Sequence, residues 1–448
     1  MAAREIFDET VRAVDAGDAV RRAVRLDGSQ LTLGDKTIDV GSRKIYSVAI
    51  GKAAFTMAHA LEQVLGDSLT AGFMSGPVLS PSLLGISAMP EWTLKTRWQR
   101  VDGGHPFPDQ ASLRAATEAF NLLAKANEER ALLIFLISGG GSAMIEWPID
   151  EEVTLKDLRA ANIALVNCGA SIGEINAVRR GFSAVKGGRL AARAPRCDQI
   201  TLIVSDVPAG EEQNVASGPT LAPPVDAPNA LEVVVRYGLR AQLPAPILRA
   251  LETESGSEDD PTGIREHFVL LDNHSALEAA AAVARSRGFA TEIAADISDQ
   301  PIADGCAQLL ERLNSLRDRT RTQDPHQTDI VCLISGGEFA CPVRGEGLGG
   351  RNLETALRLA SLRSSQLADA GLFVAVCAGT DGIDGNSPAA GAIIDSTSAE
   401  RAKAIGLDPS DFINRSDAYS FFVALGDAIA IGATGTNVRD VRILLSTL

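Results

Sequence analysis

The sequence holds few cysteines and histidines, carries less positive than negative charge, and lacks any long apolar run. Its six cysteines stand at 168, 197, 306, 332, 341 and 377, with no pair at the two-residue spacing of metal or redox motifs. That usage fits a reduced, cytoplasmic setting. The five histidines, at 59, 105, 267, 274 and 326, are too scattered to mark a zinc site by spacing. Lys and Arg number 42 against 57 Asp and Glu, a net charge of −15, which argues against tracking a nucleic-acid backbone. A few cations in one cleft can still hold a nucleotide, because salt screens exposed charges beyond about 10 Å. The longest aliphatic run, from Ala131 to Ile137, is too short to span a bilayer. The first residues carry Glu5, Asp8 and Glu9 in place of the apolar stretch of a signal peptide. The expected partners are therefore small molecules, with neither nucleic acid nor membrane involved.

What is present is an α/β rhythm over 448 residues, enough for two domains. Ile6, Phe7, Val11, Val14, Val20 and Val24 recur near helical spacing and predict one amphipathic helix over roughly 3–26. Beyond it, short β-branched runs end in Gly, Ser or Asp and give way to Ala-rich helical stretches, the pattern of a largely parallel sheet. The predicted strands are 45–50, 132–137, 200–204, 330–334 and 372–378, with a further one before the glycine cluster at 345–350. The acidic, Gly/Ser-rich stretch 252–263 reads as a linker or long surface loop, dividing a larger Rossmann-like domain (1–255) from a smaller α/β domain (264–448). LISGGG (136–141) and LISGGE (333–338) echo each other across it, too briefly to establish a duplication.

In open α/β sheets ligands bind beyond the carboxyl ends of strands, so the polar residues there are the candidates. Gly139, Gly140 and Gly141, between Ser138 and Ser142, can turn sharply and bring backbone N–H groups to an anion, or form only a tight turn. Lys52 follows a strand and Gly51, where a phosphate-binding point charge belongs. The run 345–350 matches GxGxxG formally, and Arg351 just beyond it offers a planar fork for phosphate oxygens at a helix start. Asp206, Asp381 and Asp384 lie in strand-end loops, as does Glu338. Such carboxylates can bind Mg²⁺ or take a hydroxyl proton, and Asx turns are the plain alternative. His105 lies in GHPFPD (104–109), where a capping or packing role ranks slightly ahead of a catalytic one.

Taken together, these residues resemble the class II glycerate 2-kinases, whose C-terminal region is called the MOFRL domain and whose members are sometimes labelled hydroxypyruvate reductases. The pieces occur in the family's order: AIGKAA (49–54), GHPFPD (104–109), LISGGGSAM (136–144), NAVRRGFSAVKGGRLA (176–191), SDVPAGE (205–211), SGPT (217–220), SGGE (335–338), GLGGRNLETAL (347–357), AGTDGIDG (378–385) and TGTNVRD (434–440). Two departures stand out: Pro208-Ala209-Gly210-Glu211 where the family commonly has Gly-Asp, and Ala433 where a Pro is common.

The resemblance implies two α/β domains with the active site in the cleft between them, Mg²⁺ and ATP as cofactor and donor, and D-glycerate as acceptor, in a monomer or homodimer. It implies catalytic roles for Lys52, Arg351 and Asp206, and metal ligation by Asp381 and Glu338. Nucleotide or substrate binding falls to Gly139, Gly140, Gly141, Ser142, Gly347, Gly349, Gly350 and Asn437. On this reading Lys52→Ala or Arg351→Ala lowers turnover by orders of magnitude while the protein stays folded. Which glycine loop holds phosphate and which the glycerate carboxylate stays open. The rivals are an NAD(P)H-dependent hydroxypyruvate reductase, carried by the GxGxxG match, and a non-catalytic nucleotide or sugar-acid binder.

Overall fold

The apolar runs 45–50, 132–137, 200–204, 330–334 and 372–378 all lie in strands, to within a residue or two. A computed structural model describes residues 2–77, 97–253, 262–323, 329–366 and 371–448. The chain divides into two units. One takes in the described residues from Ala16 to Leu270, the other those up to Asp15 and from Leu271 to Leu448.

The first unit opens with a small antiparallel sheet of β1 (Val24–Asp27), β2 (Gln30–Leu33) and β3 (Lys36–Asp39). Its main sheet contains β4 (Ile45–Ile50), β5 (Leu69–Ser75), β6 (Trp98–Arg100), β7 (Leu132–Ser138), β8 (Asp198–Val204) and β9 (Arg265–Leu271), in the order β6-β5-β4-β7-β8-β9. The pairings from β6 through β8 are parallel. Every residue of β4 and β7 is buried, as continuous apolar runs in a sheet covered on both faces should be. From β4 the chain proceeds outward one way to β5 and β6, then returns to β7 and proceeds the other way. The order therefore reverses between β4 and β7, and the carboxyl ends of those two strands flank the crevice such a switch creates.

The second unit has a six-stranded sheet of β10 (Ala290–Ile293), β11 (Ile330–Gly337), β12 (Phe373–Gly379), β13 (Gly391–Asp395), β14 (Ala428–Ile429) and β15 (Asp440–Thr447), in the order β10-β11-β15-β12-β13-β14. Only β10 and β11 pair in parallel; β15 lies antiparallel between β11 and β12, and the pairings through β13 and β14 are antiparallel too. The predominantly parallel reading thus holds for the first sheet, while the second is mixed. Strand-to-helix rhythm sets which segments are strands but leaves the direction of a late, C-terminal strand such as β15 undetermined.

Two further expectations change. The helix predicted over 3–26 is two helices, Ala2–Ala13 and Ala16–Ala23, followed by β1. The first buries Ala3, Ile6, Phe7 and Thr10 within the second unit, whereas Ala16, Ala19 and Val20 are buried in the first, so one straight helix could not serve both cores. The strand expected before 345–350 does not form: β11 ends at Gly337 and the chain runs irregularly to Arg351, with Pro342 unable to donate to a ladder. The expected domain limits are 1–255 and 264–448; the two compact units meet along the chain at Asp15 and at Leu270. Much of the acidic stretch lies outside the described residues, but Thr262 N donates to Pro195 O at 3.0 Å and Ile264 N to Asp198 Oδ1 at 2.8 Å. These bonds tie the end of the stretch to the first unit's sheet. Among the described residues no helix is long and apolar enough to cross a membrane.

Candidate functional site

At the switch point of the first unit, close packing of glycines sets the geometry. Gly51 follows β4 with φ +115°, and a Cβ there would stand 2.3 Å from Ser138 O. The two strand ends are stitched by Lys52 N donating to Gly139 O at 2.9 Å and by Ala53 N donating to Ser138 Oγ at 3.0 Å. The fully buried Ser138 hydroxyl also donates to Ile50 O at 3.4 Å, so both of its roles are taken up by backbone. Gly139 lies so close to Asp206 that a Cβ would fall 1.8 Å from Asp206 Oδ2. Gly140, left-handed at φ +80°, would direct its Cβ to 3.0 Å from Lys52 Cγ, 3.3 Å from Lys52 Cε and 3.5 Å from His105 Cδ2. Two consecutive glycines thus bring an ammonium, an imidazole and a carboxylate onto one loop, from β4, from the GHPFPD segment and from the end of β8.

A second layer supports this loop. Ser142 Oγ pairs with Ser217 Oγ at 2.7 Å, and Ser217 Oγ donates to Asn176 Oδ1 at 2.7 Å. Arg180 Nη2 in turn reaches Asn214 Oδ1 at 2.7 Å. Ala216 and Ser217 hold positive φ of 51° and 62°, a conformation that costs a non-glycine residue free energy and persists only where its surroundings enforce it. Lys186, the cation of the NAVRRGFSAVKGGRLA segment, is buried on Glu146, whose other oxygen accepts from Ser183 Oγ at 2.5 Å. Burial pushes the Lys186 pKa down, against the pull of Glu146. Lys186 is therefore a structural cation.

In the second unit the expected residues are drawn into a compact ionic network. Arg351 donates through Nε to Asp440 Oδ2 at 2.6 Å and pairs through Nη2 with Glu338 Oε1 at 2.8 Å. Burial alone would lower its pKa, but the carboxylates of Asp440 and Glu338 more than offset that and raise it. Asp440 is almost fully buried and also accepts Asn352 Nδ2 at 2.8 Å. Asn273 joins the backbones here, with Nδ2 donating to Val438 O and Asp440 O and with Oδ1 accepting Gly337 N at 2.9 Å. Asp384 caps the helix Arg351–Gln366, accepting Asn352 N at 3.1 Å and Leu353 N at 2.8 Å. Its pKa is pushed up to about 7, chiefly by burial, with Asp440 adding to the rise and the two amides and Arg351 opposing it.

The glycine cluster that resembled a phosphate loop is occupied by its own unit. Gly347 N donates to Arg415 O at 3.1 Å, Leu348 N to Asp417 Oδ1 at 3.1 Å, and Gly349 N to Asn386 Oδ1 at 2.8 Å. At Gly350 a Cβ would stand 2.4 Å from Asp384 Oδ1, so this glycine makes room for the capping carboxylate. The helix start that Arg351 opens is accordingly filled by Asp384. Asp381 Oδ1 accepts Ile383 N at 3.1 Å, an Asx-type turn, and Asn437 Oδ1 accepts Arg439 N at 3.2 Å, shaping the loop before β15. Among the described residues no group of three or more His, Cys, Asp or Glu side chains gathers at metal-binding distance. Asp440, Asn273 and Ser217 were not singled out from the sequence. Asp440 and Ser217 lie in TGTNVRD and SGPT, but a run of letters does not say which of its members points into a network.

The comparisons with known proteins bear on the same segments. Residues 2–252 match the family described as a domain of unknown function (DUF4147), and residues 331–440 match the MOFRL family. The chain is 32% identical to a D-glycerate 2-kinase of Thermotoga maritima, across 98% of this chain and 96% of that protein. The chain belongs to the glycerate kinase family. A crystal structure of a glycerate kinase from Thermotoga maritima superposes with a TM-score of 0.78 at 30% identity, covering 99% of this chain and 98% of that one. Another family relative, 34% identical over 89% of this chain and 86% of its own length, is called a putative hydroxypyruvate reductase, in Agrobacterium vitis. Glycerate kinase relatives thus match both units of the fold.

Proposed function

We propose that the chain is a glycerate 2-kinase, moving the γ-phosphoryl group of ATP onto the 2-hydroxyl of D-glycerate. The observation that carries this reading is the meeting of Lys52, His105 and Asp206 over Gly139 and Gly140 at the switch point of a parallel sheet. Phosphoryl transfer passes through a loose transition state, so the protein's task is to position the reactants and to balance spread negative charge. Lys52 supplies a positive charge beside the loop. Asp206 is the carboxylate placed to orient the acceptor hydroxyl and take its proton.

Arg351, Glu338 and Asp381 lie in the second unit. Glu338 and Asp381 offer oxygen ligands only, which suits Mg²⁺, a hard cation that commonly takes one or two carboxylates and completes its shell with phosphates and water. When bound, Mg²⁺ supplies charge neutralisation on the β- and γ-phosphates. Arg351 has Nε and Nη2 committed to Asp440 and Glu338, so its part in this reading is to orient the Glu338 carboxylate. Asn437 and the glycines at 347, 349 and 350 shape these loops. A reducing cytoplasm suits the six free thiols.

The hydroxypyruvate reductase reading draws on the GxGxxG match and on the name of the Agrobacterium vitis relative. A dinucleotide loop of that kind offers its backbone to a pyrophosphate, whereas the amides of Gly347, Leu348 and Gly349 are spent on Arg415, Asp417 and Asn386. A single pair of spectrophotometric assays separates the two. The kinase reading expects ADP release that depends on D-glycerate and no loss of NADH with hydroxypyruvate; the reverse result would overturn it.

A further inference from the structure

We propose that Arg439 is a positioning residue that clamps together the two loops carrying Glu338 and Asp381, its side chain holding one loop and its backbone the other, so that both carboxylates are presented to one Mg²⁺. The inference rests on the kinase reading, which gives those two carboxylates to the metal, and it names the residue that sets their relative placement.

The sheet order puts Arg439 between the two loops. β15 starts at Asp440 and runs between β11 and β12, with Asp440 opposite Gly337 on one side and Gly379 on the other. Glu338 directly follows β11, and Asp381 lies two residues beyond the end of β12. Arg439, the residue before β15, therefore enters the sheet between them. Its carbonyl accepts Thr380 N at 3.1 Å and Thr380 Oγ1 at 2.8 Å, and the same hydroxyl accepts Val438 N at 2.9 Å, which fixes the residue next to Asp381. Its guanidinium serves the other loop: Nη2 donates to Asp299 Oδ1, and that oxygen also accepts Glu338 N at 3.1 Å. Gly337 is left-handed at φ +79°, and a Cβ there would fall 2.5 Å from Ser298 O. The turn that carries Asp299 is thus seated directly on the backbone leading into Glu338.

This arrangement is kept at a cost. Arg439 holds φ +70°, in the left-handed region that side chains with a Cβ rarely adopt, and its Nε is buried with no acceptor among the described residues. Each of these costs free energy, and such outliers persist where the surroundings enforce them and gather at functional sites. The turn itself does not call for an arginine, since glycine would adopt it without the backbone penalty. What the arginine adds is the link to Asp299 and hence to Glu338. Groups that orient metal ligands without touching the metal typically change its affinity by about 10–100-fold.

The test is Mn²⁺ binding to the full chain, followed by the EPR signal of free Mn²⁺, because Mn²⁺ suits the same oxygen ligands as Mg²⁺. Arg439→Gly keeps the left-handed turn and its carbonyl contacts while removing the guanidinium. It should weaken binding by about 10-fold or more, with a urea midpoint above that of Arg439→Ala, which retains the backbone strain. Asp299→Ala removes the other half of the link and should weaken binding by a comparable factor. The double variant should bind within about twofold of Asp299→Ala alone, because the two residues act through one contact. Unchanged Mn²⁺ affinity in either single variant, or losses that multiply in the double variant, would overturn the inference. A wild-type protein that binds no Mn²⁺ would instead defeat the assignment of Glu338 and Asp381 to the metal, and this inference with it.

Discussion

Replacing Gly139 by alanine tests the geometry of the first unit with a single carbon atom. Gly139 does not adopt a positive φ, so alanine meets no backbone penalty there. Its Cβ would, however, appear 1.8 Å from Asp206 Oδ2. To regain ordinary van der Waals contact, which begins at 3.4 Å, the carboxylate must retreat by about 1.6 Å. A misplacement of about 1 Å at a reacting group can cost about 100-fold in rate. Gly139→Ala should therefore lower kcat by about 100-fold or more, in a coupled ADP-release assay at saturating glycerate and ATP. Its melting temperature should change little, because Asp206 is only half-buried and its side chain can turn toward solvent. Gly141→Ala is the informative contrast: its Cβ would press on Ala216 Cβ and Ile50 Cγ2, each at 2.8 Å and both buried, so its chief effect should be lost stability. Near-normal kcat in Gly139→Ala would refute the placement of Asp206 at the reacting hydroxyl.

The second unit yields two more predictions. Asp384 has a folded pKa near 7 against 3.8 for the unfolded chain, so between those values the folded protein keeps a proton that the unfolded one releases. This group's contribution to stability is fullest below about pH 4 and declines as pH rises to about 7, at up to about 1.4 kcal/mol per pH unit. Asp384→Asn should flatten the decline in urea midpoint between pH 5 and 7 relative to wild type, and parallel curves for the two proteins would contradict the assignment. Arg351→Ala removes the guanidinium from almost fully buried Asp440 and should cost stability as well as turnover. Breaking a fully buried pair costs about 3–5 kcal/mol, and because Arg351 remains about one-third exposed the expected loss is about 1–3 kcal/mol. Lys52→Ala, at a half-buried position in the first unit, should lower kcat by orders of magnitude with little change in urea midpoint, and an unchanged kcat would remove its role.

The parts of this account that were legible in the sequence are those fixed by local pattern. Continuous apolar runs such as 132–137 announce buried parallel strands, and a glycine run directly after one announces a loop at a strand end. Lys52 and Asp206 stand out by position alone, after β4 and β8, and both lie beside the glycine loop that follows β7. What was not legible depends on partners far away in the chain. The GxGxxG spacing at 345–350 looks like a phosphate cradle until Arg415, Asp417 and Asn386 are seen to take its amides. Arg351 looked like a phosphate fork, but Asp440, in a strand running antiparallel to its neighbours, claims much of it.

The most direct test of the central claim is ³¹P NMR of the product formed from ATP, Mg²⁺ and D-glycerate. A phosphate on the 2-oxygen neighbours one methine proton, so the account predicts a new phosphomonoester signal split into a doublet without proton decoupling. A triplet, the mark of phosphate next to a methylene at the 3-oxygen, or the absence of any new phosphomonoester, would contradict it.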